Sequence, residues 1–222
     1  MPGVSSGVAP IFVESSSQNS ILIIKGANQY LLPVDIEKAA NELKKCSLIV
    51  LQLEIRLETV YYAIDFGKKY GIPVLLNPAP AVKELDVQKI SGCEFFIPNE
   101  SELSLLTGMP VNSKKQAEAA AAVLLDQGIK NVIVTLGSKG VLWVRKEGVD
   151  FIEAHSVNAV DTIGAGDAFI GCFSAIYVEK KDVLEALCKA NAYAALSVQK
   201  KGTQLSYPEK VQLIEFLNDR EM

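Results

Sequence analysis

The chain has 222 residues with 26 acidic and 22 basic side chains, and this net charge of −4, without a basic stripe, argues against electrostatic binding of nucleic acid. Its longest apolar runs are too short to cross a bilayer, and its first residues lack the pattern of a secretory signal. The scattered Cys46, Cys93, Cys172 and Cys188, with His155 as the single histidine, indicate a cytoplasmic protein with reduced thiols and argue against a zinc enzyme or a histidine-dependent hydrolase.

Residues 1–30 differ in pattern from the rest of the chain. The apolar residues 7–13 and 20–24 predict two adjacent strands, and the polar residues 14–19 between them predict a turn. We therefore expect the main domain to occupy residues 31–222.

From residue 36 onwards, helix-length segments alternate with short apolar segments. Helices are expected at residues 36–43, 60–71 and 113–127, and strands at residues 48–53, 72–76, 94–97 and 131–136. Strands that are apolar throughout and are separated by helices predict a mainly parallel sheet covered on both faces. Residues 141–145 and 149–154 predict two further strands joined by a hairpin, in which Gly148 supplies a positive φ.

Polar side chains follow four of the predicted strands at their carboxyl ends. They are Glu54, Asn77, Asn99 with Glu102, and Thr135 with Gly137. Each of them is also a residue type that caps helices or forms turns. Because the carboxyl ends of parallel strands meet at one edge of the sheet, where α/β proteins bind ligands, we expect these residues to share a site.

The segment Asp161-Thr-Ile-Gly-Ala-Gly-Asp167 precedes an amphipathic helix predicted from apolar residues at helical spacing. A helix that begins among small residues leaves unpaired backbone N–H groups, which together with the helix dipole suit an anionic oxygen. The carboxylate of Asp167 would repel a bound phosphate, so it indicates chemistry beside the phosphate. The alternative is a tight loop in which Asp167 only charges the first helical turn.

Two more helices are expected to start near Asp182 and Pro208. The first of them carries an apolar stripe that includes one polar residue, Asn191. A buried asparagine usually satisfies a backbone group. A contact between Asn191 and a ligand is the alternative.

Six blocks of sequence carry a resemblance to a known family. They are Gln52-Leu-Glu54, Asn77-Pro-Ala-Pro80, Pro98-Asn-Glu-Ser-Glu102, Thr135-Leu-Gly-Ser-Lys-Gly140, Asp161-Thr-Ile-Gly-Ala-Gly-Asp167 and Lys201-Gly-Thr-Gln-Leu-Ser206. In this order they resemble the ribokinase family of ATP-dependent carbohydrate kinases, from about residue 7 to residue 208. The second and the last block resemble ribose kinases more than adenosine or fructose kinases.

The resemblance implies a ribokinase-like three-layer α/β/α fold with a mainly parallel central sheet, and it implies that residues 1–30 are the remnant of a small β lid. It also implies transfer of the γ-phosphate of ATP to a sugar hydroxyl, converting D-ribose to D-ribose 5-phosphate. Asp167 would be the general base that takes the proton from this hydroxyl. The amides of Gly164, Ala165 and Gly166 would form the anion hole.

The resemblance also implies roles in binding ATP and the sugar. Asn99 and Glu102 match the nucleotide and magnesium motif, in which Glu102 acts on Mg²⁺ through water. Asn191 falls where the family contacts adenine or its ribose, and Glu54 matches a ligand of a sugar hydroxyl. The loop along the nucleotide would consist of Thr135, Leu136, Gly137, Ser138, Lys139 and Gly140.

A site for K⁺ as an activator is implied beside the anion hole. Oxygen ligands suit such a hard cation. They would come from Asp161, Ser206 and the carbonyls of Ile163, Ser197, Lys200 and Gly202. The resemblance further allows a homodimer.

The chain departs from the family pattern in its first third, where the double-glycine motif that grips the sugar is missing. Residues 25–29 resemble the tail of that motif, but Ile23 and Ile24 stand where two glycines are expected. The order of the family's segments implies that residues 25–29 form a different turn. An alternative function is therefore a truncated nucleotide-binding pseudokinase or a dimerisation partner. A dinucleotide-binding oxidoreductase is disfavoured because no strand is followed by G-x-G-x-x-G with an acidic residue about 20 positions later.

Overall fold

The structure is a computed structural model that describes residues 3–13 and 19–219. Its strands are β1 (Ile11–Val13), β2 (Asn19–Ile21), β3 (Ile49–Leu51), β4 (Val74–Leu76), β5 (Phe95–Phe96), β6 (Asn131–Thr135), β7 (Gly140–Arg145) and β8 (Gly148–Glu153). Its α-helices are α1 (Pro33–Lys38), α2 (Ala40–Leu43), α3 (Leu57–Tyr70), α4 (Val87–Ile90), α5 (Glu100–Thr107), α6 (Lys114–Asp126), α7 (Ala165–Lys180), α8 (Val183–Ser197) and α9 (Lys210–Asn218).

The main sheet contains β3 to β8, and its strands stand side by side in the order of the chain. Strands β3 to β6 are parallel, whereas β7 is antiparallel to both β6 and β8. After these two reversals β8 runs in the direction of β3 to β6, so all five of these strands end at the same edge of the sheet. The predicted hairpin is present, with Gly148 at φ 151°.

Helices cover both faces of this sheet, as the alternation of helices and apolar strands predicts. Side chains of one face, including Leu76, Phe96 and Val132, pack against α3 to α6. Their neighbours on the opposite face, such as Leu75 and Phe95, pack against α7 and α8, and α9 packs on α8. The three-layer α/β/α prediction is therefore confirmed.

Two sequence predictions for residues 36–53 need correction. The single helix expected at residues 36–43 is divided at Ala39 into α1 and α2, whose residues are all exposed or half-buried, so no core face holds one continuous helix together. The strand predicted at residues 48–53 is expected to be buried. The corresponding strand, β3, instead lies at the edge of the sheet, because only β4 pairs with it among the described strands. Its central residue Val50 is 37% exposed.

The amino-terminal residues form a separate antiparallel pair, β1 and β2, which a bridge between Val8 and Ile24 extends. The predicted turn between them falls mostly at residues 14–18, which lie outside the described residues. The turn predicted at residues 25–29 is present as the 3₁₀-helix Gly26–Tyr30.

Two side chains of α3 and its N-cap fasten the segment that follows β2 to the main domain. Arg56 Nε donates to the Gln29 carbonyl at 2.7 Å, and Thr59 Oγ1 donates to the Leu31 carbonyl at 2.8 Å. No helix within the described residues is long and apolar enough to cross a bilayer.

Candidate active site

Hydrogen bonds join the chain at the carboxyl ends of the four parallel strands. The Asn77 amide donates to the Leu51 carbonyl at 2.9 Å, and Asn77 Nδ2 donates to the Ile97 carbonyl at 2.8 Å. The Thr135 amide donates to the Pro98 carbonyl at 3.0 Å, which continues the connection from β5 to β6. The predicted shared edge therefore exists, and two backbone hydrogen bonds together with the Asn77 side chain set the spacing along it.

Asn99 and Glu102 cap the start of α5 reciprocally. Asn99 Oδ1 accepts from the Glu102 amide, and Glu102 Oε2 accepts from the Asn99 amide, both at 2.8 Å. Burial raises the pKa of the Glu102 carboxyl to about 7, although the bond from Asn99 acts in the opposite direction. Glu102 Oε1 accepts no bond from the described residues, so one carboxylate oxygen remains for a hydrated cation.

The loop after β6 is held against α5. It forms the 3₁₀-helix Gly137–Lys139, and the Leu136 amide donates to the Gly140 carbonyl at 2.8 Å. Lys139 Nζ pairs with Glu100 Oε1 at 2.8 Å, a contact that the sequence analysis missed. Ser138 is exposed on this loop. The two predicted nucleotide blocks, around Asn99 and around Thr135, are therefore neighbours.

Asn191 lies beside this loop, but it takes part in a backbone contact. It is 6% exposed, and its Nδ2 donates at 2.7 Å to the carbonyl of Glu153, which pairs with Gly140 across β7 and β8. The structure thus shows the role expected of a buried asparagine, in which Asn191 satisfies a backbone group. Its Oδ1 accepts no bond from the described residues and is the atom left for a ligand.

The first turn of α7 lies at the same edge of the sheet. The chain leaves β8 at this edge, and the later residues Phe173 and Tyr177 of α7 contact Phe95 at the opposite, amino-terminal end of β5. The helix therefore runs antiparallel to β5. Its N-cap, Gly164, has φ 80° and ψ 0°, which is a left-handed conformation that glycine adopts without strain.

The backbone amides of this first turn are only partly free. The Ala165 amide donates to the Thr162 carbonyl at 3.3 Å, so the prediction that it belongs to the anion hole is weakened. The amides of Gly164, Gly166 and Asp167 donate to no acceptor among the described residues. They are the groups available to an anionic oxygen.

The side chain of Asp167 is exposed, and nearby protein atoms still remove enough water to raise the pKa of its carboxyl. A raised pKa suits a general base, because it makes the carboxylate a better proton acceptor. Glu54, the predicted sugar ligand, is exposed just beyond the end of β3. Both groups are accessible to a substrate.

Asp161 organises the residues of the predicted cation site. Its Oδ1 and Oδ2 accept from the amides of Ile163 and Gly202, each at 3.0 Å, and these bonds lower the pKa of its carboxyl. The Ser197 and Ser206 hydroxyls donate to backbone carbonyls at 2.8 and 2.6 Å, and Lys200 is exposed. Hydrogen bonds therefore join Asp161 directly to two of the other five predicted ligand residues, Ile163 and Gly202.

The sequence analysis also missed Tyr207, whose hydroxyl donates to the Gly164 carbonyl at 3.2 Å. No spacing rule indicates this contact, because the two residues are far apart in the chain. No cluster of three or more His, Cys, Asp or Glu side chains suited to a metal occurs in residues 3–13 and 19–219. Magnesium held through water and phosphate oxygens does not require such a cluster.

Comparison with known proteins identifies related carbohydrate kinases. A family model described as pfkB family carbohydrate kinase matches residues 2–210. A deoxyribokinase of Salmonella typhi is 59% identical over 98% of the chain and 71% of its own length. A ribokinase of Haemophilus influenzae is 40% identical over 96% of the chain and 69% of its own length.

The same relation appears among solved structures. A ribokinase of Arabidopsis thaliana, solved with ribose and ATP, superimposes with a TM-score of 0.86 at 32% identity, covering 97% of this chain and 70% of that one. The resemblance seen in the six sequence blocks is confirmed. The chain belongs to the pfkB family of carbohydrate kinases.

Proposed function

We propose that this chain phosphorylates a pentose at its 5-hydroxyl with ATP, and that Asp167 is the general base. The observation that carries the proposal is the position of this exposed carboxylate in the first turn of α7, where its own amide and that of Gly166 donate to no acceptor within the described part of the chain. A base and an anion site therefore adjoin at one place. Phosphoryl transfer needs both, because it depends mainly on positioning and on stabilisation of charge.

In the proposed reaction, the attacking sugar hydroxyl loses its proton to the Asp167 carboxylate as its oxygen bonds to the γ-phosphorus of ATP. The bond from this phosphorus to the bridging oxygen breaks, and ADP leaves. The amides of Gly166 and Asp167 donate to the phosphoryl oxygens as negative charge builds on them. A positioned base contributes about 10²–10⁴-fold to the rate of such a step.

The nucleotide is proposed to lie along the loop from Thr135 to Gly140, near Asn99. The support is the ion pair between Lys139 and Glu100, which joins this loop to the start of α5. Magnesium neutralises phosphate charge when bound, and the free Oε1 of Glu102 suits one of its water ligands. The free Oδ1 of Asn191 is the atom proposed to contact the nucleoside.

Potassium is proposed to bind around Asp161, Ile163 and Gly202. The support is that the Asp161 carboxylate already joins these two backbone segments next to the anion hole. Both oxygens of this carboxylate keep further lone pairs, and hard oxygen ligands suit K⁺. A homodimer is likewise a proposal, supported by the exposed apolar side chains of Val8, Leu22 and Ile24 beside the amino-terminal strands. A cytoplasmic location stays a prediction from the cysteine pattern.

The sugar is proposed to be 2-deoxy-D-ribose or D-ribose. The sequence blocks favour ribose for this chain. The relative with 59% identity is a deoxyribokinase, and this similarity favours 2-deoxyribose for this chain. Glu54 is the side chain proposed to bind a hydroxyl of either sugar. The two sugars differ only at the 2-position, so comparison of their kcat/KM values in the same assay reports the preference directly.

The test is release of ADP by the purified chain with ATP, Mg²⁺ and K⁺, with each sugar and without sugar. We expect sugar-dependent release that falls by about 10²–10⁴-fold in Asp167→Asn. Asp65→Asn is the matched control, because Asp65 is an exposed aspartate on α3. Binding of ATP without sugar-dependent turnover would instead support the pseudokinase alternative.

A further inference from the structure

Tyr207 lies where three segments of the chain meet beside the first turn of α7. It follows the 3₁₀-helix Gln204–Ser206 and precedes the buried Pro208. Its ring lies against the ring of Tyr193 on α8, with centroids 6.3 Å apart. Its hydroxyl donates to the carbonyl of Gly164 at 3.2 Å. One side chain therefore connects the loop before α9 to the N-cap of α7.

The start of α7 differs from the starts of most other long helices in the described chain. The N-caps Asn99, Ser113 and Asp182 each use a side-chain oxygen to accept from the amide of the third helical residue. Such a cap satisfies an amide of the first turn and stabilises the helix. Gly164 has no side chain and provides no such bond.

A side-chain cap at Gly164 would occupy the amides that the proposed reaction needs. Such caps accept from the second or third helical amide, which in α7 are the amides of Gly166 and Asp167. Tyr207 acts on the opposite side of the N-cap peptide, since it donates to the carbonyl of Gly164. This carbonyl also accepts from the Ala168 amide at 2.9 Å, in the first hydrogen bond within the helix. The contact can thus hold the helix start while both amides stay free.

The space around Gly164 keeps the tyrosine close. A Cβ atom at this position would lie 3.2 Å from the Tyr207 hydroxyl and 3.3 Å from Thr203 Cβ. Burial raises the pKa of the Tyr207 phenol most, the charge of Asp167 raises it further, and Tyr193 has a smaller effect. The hydroxyl therefore stays protonated at neutral pH and remains a donor.

We propose that Tyr207 is a positioning residue of the phosphoryl-transfer site, which holds the N-cap carbonyl of α7 in place of a side-chain cap and so keeps the amides of Gly166 and Asp167 free and aligned. Its effect on the rate rests on the proposed kinase function. Its effect on how the two amides meet the γ-phosphate does not depend on turnover.

The kinetic test compares Tyr207→Phe with Tyr193→Phe, which removes a hydroxyl from the neighbouring ring. We expect Tyr207→Phe to lower kcat by about fivefold to tenfold, the equivalent of one lost hydrogen bond, and to leave the KM for ATP within about twofold. Tyr193→Phe is expected to keep kcat within about twofold of the parent value, because its hydroxyl has no hydrogen-bond partner among the described residues. An unchanged kcat in Tyr207→Phe would overturn the proposal.

The second test does not need turnover and separates this proposal from the proposed function. The backbone amides of Gly166 and Asp167 are followed by NMR in the ¹⁵N-labelled chain during titration with MgATP and, separately, with MgADP. We expect shifts that depend on the γ-phosphate in the parent chain and in Tyr193→Phe, and at least a halving of those shifts in Tyr207→Phe. Equal shifts in all three proteins, or none in the parent, would refute the positioning role even if the enzyme is active.

Discussion

Replacing Glu102 by glutamine should stabilise the protein at alkaline pH. Burial raises the pKa of this carboxyl from 4.5 to about 7, so the folded chain favours its neutral form. The stabilisation that this neutral form provides is complete below pH 4.5, the pKa in the unfolded chain. It is lost as the pH rises through about 7, the pKa in the folded chain. Glutamine is neutral at every pH and is also suited to the third helical position of a capping box.

The expected gain follows from the two pKa values. The interval between them, from 4.5 to about 7, corresponds to about 3.5 kcal/mol at roughly 1.4 kcal/mol per pKa unit. The positive end of α5 opposes part of this effect, since it favours the ionised carboxylate by up to about 1 kcal/mol. We therefore expect Glu102→Gln to raise the free energy of unfolding by about 2.5 kcal/mol at about pH 8 and by about 1 kcal/mol or less at about pH 5.

Urea unfolding in the presence of a chelator, at both pH values, measures this difference without bound Mg²⁺. Glu100→Gln is the matched control, because it changes a carboxylate in the same helical turn that is ion-paired with Lys139. Its effect should not increase between the two pH values in the way expected for Glu102→Gln. A pH-independent difference in unfolding free energy for Glu102→Gln, or a loss of stability at alkaline pH, would refute the reasoning.

Two more predictions concern the proposed base and the nucleotide loop. Because the pKa of Asp167 is raised and the base acts as the carboxylate, sugar-dependent activity should fall as the pH drops through that raised pKa. A steady-state pH profile measures this fall. Activity that persists unchanged into strongly acidic buffer would contradict the prediction. Gly140→Ala should destabilise the fold by more than about 2 kcal/mol, because φ is 121° and a Cβ would collide with a backbone carbonyl of β8. Gly137→Ala is the control and should cost about 1–2 kcal/mol, because φ is 55° and the space around Gly137 is open. Equal urea midpoints for the two variants would show that the collision at Gly140 is relieved.

Sequence patterns predicted the sheet, its helices and the shared edge because they depend on periodicity and on residue types with strong local preferences. Gly71, for example, ends α3 in the left-handed conformation at φ 69°. The break at Ala39 and the exposure of Val50 could not be predicted, because both depend on which neighbouring elements are present to cover them. The role of Tyr207 was also out of reach, since its contact with Gly164 joins distant residues and leaves no local pattern.

The hydrogen bonds between the strand ends have a consequence for how this architecture can diversify. Asn77 and Thr135 donate through their main-chain amides to the carbonyls of Leu51 and Pro98, so the distances along this edge are independent of most side chains that project from it. Substitutions at exposed positions such as Glu54, the proposed sugar ligand, can then alter which acceptor is recognised without displacing the groups proposed to bind phosphate. A single framework can in this way accommodate changes in sugar preference while the chemistry is retained.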